Sequence, residues 1–156
     1  MRVQICAVGR MRSGPERLLT DDYLDRFGKT GRSLGLGPAA IHEVEDKKGG
    51  GMEAEAALLS RVLPAGALVC VLDERGSVLS SPEFAAQLAA WRDTGRQDVA
   101  FVIGGADGIA PSLRAGAGFA LSFGRMVWPH MLVRVMLAEQ LYRAATILSG
   151  GPYHRV

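Results

Sequence analysis

Long apolar runs, closely spaced cysteines and the marks of an exported protein are all missing from this chain of 156 residues. No apolar run approaches the ~18 residues of a membrane span, and the start, MRVQICAVGR, lacks the cleavage site of a signal peptide. We therefore expect a cytoplasmic protein that does not enter the membrane. Cys6 and Cys70 lie in separate apolar runs without CxxC spacing or a neighbouring histidine, which predicts two buried free thiols and no metal site.

The common phosphate-binding fingerprints are missing as well. FGKTG resembles part of a phosphate loop, but that motif requires glycine five positions before Gly28, where this chain has Tyr23. IGGADG fails the dinucleotide pattern G-x-G-x-x-G because Ala106 occupies its third position. These failures argue against a phosphate-loop enzyme and against a nucleotide-dependent oxidoreductase.

Charge alone does not identify a partner. A net charge of +2 and a pI near 8.7, without a dense Lys/Arg tract, permit polyanion binding but do not require it. Contact with RNA needs cations for phosphates and aromatic rings for bases, and the alternative is that most of these cations are scattered surface charges. The candidate RNA contacts are Arg10, Arg12, Arg17, Arg125, Arg134, Arg143 and Arg155, with Trp128 and Tyr153 as aromatics.

Apolar runs alternate along the chain with segments of helical periodicity. Strands are predicted at residues 3–8, 39–44, 67–73, 98–103 and 119–123, and helices at 15–28, 52–63, 81–94 and 130–148. This alternation predicts an α/β fold with a mostly parallel sheet, whose ligand sites lie beyond the carboxyl ends of the strands. The last helix is apolar around most of its circumference, so we expect it to be buried, in part at a subunit interface.

Local features give further expectations. Gly28 is predicted to cap the first helix, and Asp73 with Glu74 to lie in a solvated turn, ERGS. Gly104-Gly105 directly follows an apolar strand, which leaves open a close backbone approach to a flat ligand or a tight turn without one. His130 begins the last helix, whose dipole favours a neutral imidazole.

Five motifs, taken in order, resemble the large-subunit ribosomal RNA methyltransferase H family of the SPOUT superfamily. They are LDERG-x-x-LSSPEFA, FVIGGADG, LSFGRMVWPH, LVRVMLAEQLYRA and GGPYHR. The resemblance covers essentially the whole chain. It implies one SPOUT domain over residues 1–156, with a C-terminal trefoil knot in an α/β fold, and a homodimer that methylates N3 of a pseudouridine in 23S ribosomal RNA from S-adenosylmethionine.

The resemblance also implies where the cofactor and the catalytic groups lie. Three loops would hold S-adenosylmethionine, through Leu72, Gly104, Gly105, Phe123, Gly124, Arg125, Met126, Val127 and Trp128. The C-terminal element Tyr153-His154-Arg155 would complete an active site built from both subunits, with His130 and Arg134 as second-rank candidates. By residue type, His154 would accept the N3 proton, Arg155 would stabilise the carbonyl oxygens or hold a phosphate, and Tyr153 would stack on the base.

Two other functions stay open from the sequence. A transfer-RNA methyltransferase of the same superfamily would share the fold and the cofactor. A non-catalytic, ribosome-associated RNA-binding protein would keep the fold without the cofactor. We expect an assembled ribosome as substrate, because a chain this short has no separate RNA-binding domain.

Overall fold

Five strands and five α-helices alternate along the chain in the computed structural model, which describes residues 1–155. The strands are β1 (Arg2–Val8), β2 (Ala39–Val44), β3 (Leu68–Val78), β4 (Asp98–Ile103) and β5 (Phe119–Ser122). The helices are α1 (Pro15–Gly31), α2 (Gly51–Val62), α3 (Ser81–Asp93), α4 (Pro111–Ala115) and α5 (His130–Ser149).

All five strands are parallel, in the order β2-β1-β4-β3-β5. The central strand β4 is buried along its whole length, as its apolar residues 99–103 predict, and its first residue, Asp98, is paired with Arg2. Because β4, β3 and β5 are neighbours, the loops that follow them meet at one edge of the sheet. The predicted α/β fold with a mostly parallel sheet is confirmed, and the topology is consistent with the knot that the resemblance implies.

Helices cover both faces of the sheet. Phe84, Leu88 and Leu137 pack with Phe101 on the face covered by α1, α3 and α5, and Leu59 packs with Val71 and Val102 on the face covered by α2 and α4. Cys6 and Cys70 are buried free thiols, as predicted. Burial raises the pKa of Cys6 to about 11 and that of Cys70 to about 12, so neither is a ready nucleophile.

Local sequence signals explain several helix ends. Ser80 accepts a hydrogen bond from the Glu83 amide at 3.3 Å, and the Glu83 carboxylate accepts one from the Ser80 amide at 2.7 Å, which completes a capping box at the start of α3. At the end of α5, Gly150 adopts a left-handed conformation with φ of 75°. Within residues 1–155 no helix is long and apolar enough to cross a membrane.

Two boundaries differ from the sequence prediction. Gly28 does not cap α1, because the helix continues to Gly31 and ends in a short 3-10 turn closed by Gly35 with φ of 69°. Strand β3 does not stop at Asp73 but continues to Val78, with a register shift against β5 between Leu72 and Ser77. Pairing with β5, which sequence periodicity does not encode, holds this second half of the strand.

Candidate active site

A cavity of about 800 Å³ opens where the loops after β3, β4 and β5 meet. Its volume is in the range of sites that bind drug-sized ligands. Arg125 of the third loop has an exposed side chain that does not line the cavity. His130, at the start of α5, does line it. The other residues predicted to bind the cofactor all line it: Leu72, Gly104, Gly105, Phe123, Gly124, Met126, Val127 and Trp128.

The glycine turn after β4 is tight and forms one wall of the cavity. The Gly108 amide donates a hydrogen bond to the Gly105 carbonyl at 3.1 Å, and Gly108 has φ of 84°. A Cβ atom at Gly104 would lie 2.5 Å from the Gly108 carbonyl oxygen, which is closer than real Cβ atoms come to backbone. The tight turn is confirmed, and the approach of a ligand to its backbone stays a prediction.

Asp73 connects two walls of the cavity. It accepts hydrogen bonds from Arg114 Nε at 2.6 Å, and from the backbone and Nε of Arg75 at 2.9 and 3.1 Å. Its side chain is only 4% exposed, so the predicted solvated turn is wrong at this residue. Burial alone would raise the pKa of Asp73, but the two arginines outweigh it and lower the pKa to about 2. Arg114 lies on α4, 41 residues further on, and no local sequence pattern indicates that pairing.

The Asp73→Asn variant is expected to lose about 2 kcal/mol of unfolding free energy at pH 7, because a carboxyl pKa lowered from 3.8 to about 2 corresponds to stabilisation of that size. The contribution is complete above about pH 4 and is lost as the pH falls through the folded-state pKa. The difference between wild type and variant should therefore shrink between about pH 4 and about pH 2. Urea denaturation at several pH values measures this, and a difference that stays constant over the range would contradict the ion-pair assignment.

His130 is the imidazole that lies at the cavity. Burial, and then the charge of Arg134 one turn further along α5, lower its pKa, so the ring is neutral at pH 7. The neutral form agrees with the sequence prediction. That prediction named only the helix dipole, whereas burial and the charge of Arg134 also lower the pKa of His130. A neutral imidazole can accept a proton or a hydrogen bond from a ligand in the cavity.

Arg134 lies behind His130 and cannot contact RNA. Its side chain is fully buried, and it donates hydrogen bonds to Glu43 at 2.6 Å and to the carbonyls of Val8 and Gly9 at 2.8 and 2.6 Å. It is therefore removed from the candidate RNA contacts. The sequence analysis did not identify Glu43 on β2 as the partner of Arg134. Only the pairing of β1 with β2 brings Glu43 to this position.

The C-terminal tail docks on α5, and none of its described residues lines the cavity of its own chain. The Tyr153 hydroxyl donates a hydrogen bond to Glu139 at 3.0 Å, and its ring lies 4.6 Å from that of Tyr142. Arg143 lies over the Tyr153 ring at 4.8 Å and also bonds to Glu139 at 2.6 Å. The tail is thus docked on α5, and the structure does not bring its described residues to the cavity within one chain.

The hydrogen bonds of His154 identify its tautomer. Its Nδ1 lies 3.2 Å from Nη1 of Arg143, and because a guanidinium only donates, Nδ1 must accept and the ring proton is on Nε2. Nε2 is buried without a partner among residues 1–155. In this arrangement neither ring nitrogen is free to take a proton from a substrate, so a base role for His154 requires the ring to leave Arg143.

A second, apolar groove of about 440 Å³ lies between α1, α5 and the end of β3. Large apolar side chains that line it are exposed, and they include Leu19 at 46% and Val78 at 68%. Leu132, Val135 and Met136 follow helical spacing on α5, and the last two line the groove. Residues 1–155 of this chain leave this face of α5 partly uncovered.

Comparison with known proteins gives full-length matches. A family model described as "Predicted SPOUT methyltransferase" matches residues 1–154. The protein named Ribosomal RNA large subunit methyltransferase H of Ruegeria pomeroyi (strain ATCC 700808 / DSM 15171 / DSS-3) is 74% identical over 156 residues, the full length of both chains. Proteins of the same name from Ruegeria sp. (strain TM1040) and Cereibacter sphaeroides (strain ATCC 17025 / ATH 2.4.3) are each 72% identical over 156 residues, again at full length.

Solved structures share the fold at low sequence identity. A probable methylase family protein from Haemophilus influenzae Rd KW20 superposes with a TM-score of 0.53 at 12% identity, and covers 99% of this chain and 70% of its own. A probable methyltransferase from Bordetella pertussis Tohama I gives a TM-score of 0.50 at 15% identity, with 92% and 96% of the two chains covered. At these identities the likeness concerns the fold alone.

Proposed function

This chain belongs to the ribosomal RNA large subunit methyltransferase H family of SPOUT methyltransferases, and we propose that it methylates N3 of a pseudouridine in 23S ribosomal RNA. The enzyme is a methyltransferase, and its methyl donor is S-adenosylmethionine. The observation that carries the proposal is the cavity between three loops, which gathers eight of the nine predicted cofactor residues. We further propose that residues 1–156 act as one SPOUT domain, in the cytoplasm, on the assembled ribosome.

The residues of the cavity fit an adenosine-containing ligand. Gly104 and Gly105 have no side chains, so backbone borders the cavity there, which suits close approach to the edge of a purine. Leu72, Val127 and Trp128 supply apolar surface that can enclose its faces. When bound, S-adenosylmethionine supplies an electrophilic methyl group. The chain's own residues must then orient the base and remove its proton.

The chemistry at N3 requires two kinds of protein group. Loss of the N3 proton leaves negative charge on the two flanking carbonyl oxygens, so an acceptor and a cation are both needed. His130 is neutral and lines the cavity, which suits it to accept the proton. Arg155 can stabilise the oxygens or hold a phosphate, and Tyr153 can stack on the base. The assignment of His154 as acceptor stays a prediction, because it needs the ring to move away from Arg143.

We propose that the partner subunit of a homodimer brings the tail to the cavity. The tail lies away from its own cavity, and the groove beside Leu132 is an apolar surface of the kind that subunits bury. A dimer that covers this groove would place α5 at the interface, next to the tail docked on it. The active site would then combine the cavity of one chain with Tyr153, His154 and Arg155 of the other.

The proposed function is tested by incubating the protein with labelled S-adenosylmethionine and ribosomes from a strain that lacks the homologous enzyme. Nucleoside analysis of the ribosomal RNA is expected to find the label in N3-methylpseudouridine. Label in transfer RNA instead would favour the transfer-RNA methyltransferase. Absence of cofactor binding in calorimetry would favour the non-catalytic, ribosome-associated RNA-binding protein. Labelling of free RNA fragments but not of ribosomes would contradict the assembled substrate.

A further inference from the structure

The loops after β1 and β2 form a second surface at the same edge of the sheet as the cavity. The two strands are parallel neighbours, so residues 9–14 and 45–50 lie side by side beyond their carboxyl ends. His130 connects this surface to the cavity, since a Cβ atom placed at Gly9 would lie 3.6 Å from Nε2 of His130. The two loops therefore flank the site without lining it.

Four exposed cations lie on these loops, and we name them the basic rim: Arg10, Arg12, Lys47 and Lys48. Among residues 1–155, Arg12, Lys47 and Lys48 form no side-chain hydrogen bond or ion pair. Arg10 pairs with Glu45 at 3.4 Å, but both side chains are about half exposed or more, and such surface pairs are weak. The cations of the rim are thus available to an anion from outside.

Two acidic residues near the rim, Asp46 and Glu43, are held by contacts within the chain, whereas Glu55 lies near Asp46 without a partner among residues 1–155. The Asp46 carboxylate accepts hydrogen bonds from the backbone amides of Lys48 at 3.2 Å and Gly50 at 2.5 Å, which orders the second loop. Glu43 is paired with buried Arg134. Glu45 is paired with Arg10, so it competes with an outside anion for that cation. Glu16 lies near Gly14, at the end of the first loop. Asp46 and Glu45 keep their charge, so the two loops together hold four cations against two carboxylates, a net charge of +2.

Hydrogen bonds from Glu43 and Arg17 fix the backbone of the first loop at Met11. Glu43 accepts hydrogen bonds from the Met11 amide and from Arg134 Nη1, both at 2.6 Å. Burial alone would raise the pKa of Glu43, but these bonds outweigh it and the pKa lies below its usual value, so the pair is ionic at pH 7. Arg17 donates to the Met11 carbonyl at 3.1 Å. Both backbone groups of Met11 are thus fixed, while the flanking Arg10 and Arg12 side chains are exposed.

We propose that the basic rim binds backbone phosphates of the substrate RNA beside the cavity, and that the Arg134–Glu43 pair is a positioning device for Arg10 and Arg12. The inference rests on the proposed function, in which the substrate is RNA. Cations on ordered loops suit phosphates, because the loop backbone is already fixed and only the side chains lose freedom when the contact forms. The rim would fix the register of the RNA, and the cavity would receive the base.

The test compares two double variants with the same net charge. Arg12→Gln/Lys48→Gln removes two cations of the rim, and Arg32→Gln/Arg96→Gln removes two exposed cations near the opposite edge of the sheet. Ribosome affinity is measured by cosedimentation over a range of salt, which does not require activity. The rim variant is expected to raise the Kd for ribosomes about tenfold and to reduce the slope of log Kd against log salt by about 1 to 2, as for two lost phosphate contacts.

The affinity for S-adenosylmethionine, measured by calorimetry, should be unchanged in both double variants. A rim variant that binds ribosomes as tightly as wild type, or a control variant that weakens binding equally, would overturn the proposal. Failure of the proposed function has a different signature. The wild type would then transfer no methyl group to ribosomal RNA, while rim-dependent ribosome binding would persist.

The positioning role is tested by a double-mutant cycle. Glu43→Gln keeps an acceptor for the Met11 amide but removes the ion pair with Arg134, and it should raise the Kd for ribosomes about threefold. In an Arg10→Gln/Arg12→Gln background, which lacks both positioned cations, the same substitution should have little further effect. Equal effects in both backgrounds would show that the pair acts on stability alone and would overturn the positioning role. Thermal denaturation of each variant checks that it is folded.

Discussion

Replacing Gly104 with alanine is expected to weaken S-adenosylmethionine binding by about tenfold to a hundredfold, with a loss of methyl transfer at least as large. The added Cβ atom would lie 2.5 Å from the carbonyl oxygen of Gly108 and 2.7 Å from its carbon. Both are backbone atoms, so no side-chain rotation relieves the contact and the turn from 104 to 108 must move. Because this turn is a wall of the cavity, the cofactor site changes shape. Isothermal titration calorimetry and the ribosome assay measure the two losses.

Gly28→Ala is the matched control. Gly28 lies within α1, has no heavy atom within 4 Å of a built Cβ and does not require a left-handed backbone. Alanine there should leave cofactor binding unchanged and raise the unfolding free energy by about 0.5 to 1 kcal/mol, because glycine disfavours a helix interior. A Gly104→Ala protein that is folded and binds S-adenosylmethionine as tightly as wild type would contradict the role given to the turn.

Periodicity predicted the strands and helices because the local sequence of most segments favours the structure that the segment adopts in the fold. The short apolar run of residues 99–103 favours a strand buried on both faces, and Ser80 with Glu83 marks the start of α3 by itself. The end of α1 was mispredicted because a glycine inside a helix and a glycine that caps one look alike in sequence. Only backbone geometry separates Gly28 from Gly35.

The site was predictable to the extent that it is built from consecutive residues. Strand ends followed by glycine turns indicated the cavity loops, and the resemblance added the third loop up to Trp128. Contacts between distant segments were not predictable. Asp73 meets Arg114 and Glu43 meets Arg134 through the order of the strands, and no pattern within either segment records its partner.

The position of the docked tail on α5 bears on the proposed arrangement of the subunits. Glu139 and Arg143 are one turn apart on α5 and hold Tyr153 and His154 against the helix. Burial, together with hydrogen bonds to Tyr23 and Glu139, raises the pKa of Tyr153, so its hydroxyl stays protonated and donates to the Glu139 carboxylate. A tail held in this way is presented as a rigid unit. In this docked position the tail does not reach the cavity of its own chain, which supports the proposal that another subunit supplies the cavity.

Mixed dimers of two inactive variants are therefore expected to regain activity. The first variant, Gly104→Ala, keeps an intact tail, and the second, Arg155→Ala, keeps an intact cavity. If each active site combines the cavity of one chain with the tail of the other, a mixed dimer contains one site in which both parts are intact. Random exchange makes half of the dimers mixed, so about a quarter of wild-type activity should return after the two proteins are unfolded together and refolded.

An active site contained in one chain predicts the opposite result. Every site in a mixed dimer would then carry one damaged part, and the mixture would stay as inactive as either variant alone. Leu132→Glu supplies the control for assembly, because a charge on the exposed apolar face of α5 should give a protein with the 16.6 kDa mass of one chain in light scattering rather than twice that mass. Introduced into both variants, it should abolish the recovered activity. Recovery that survives it would exclude this face of α5 as the interface.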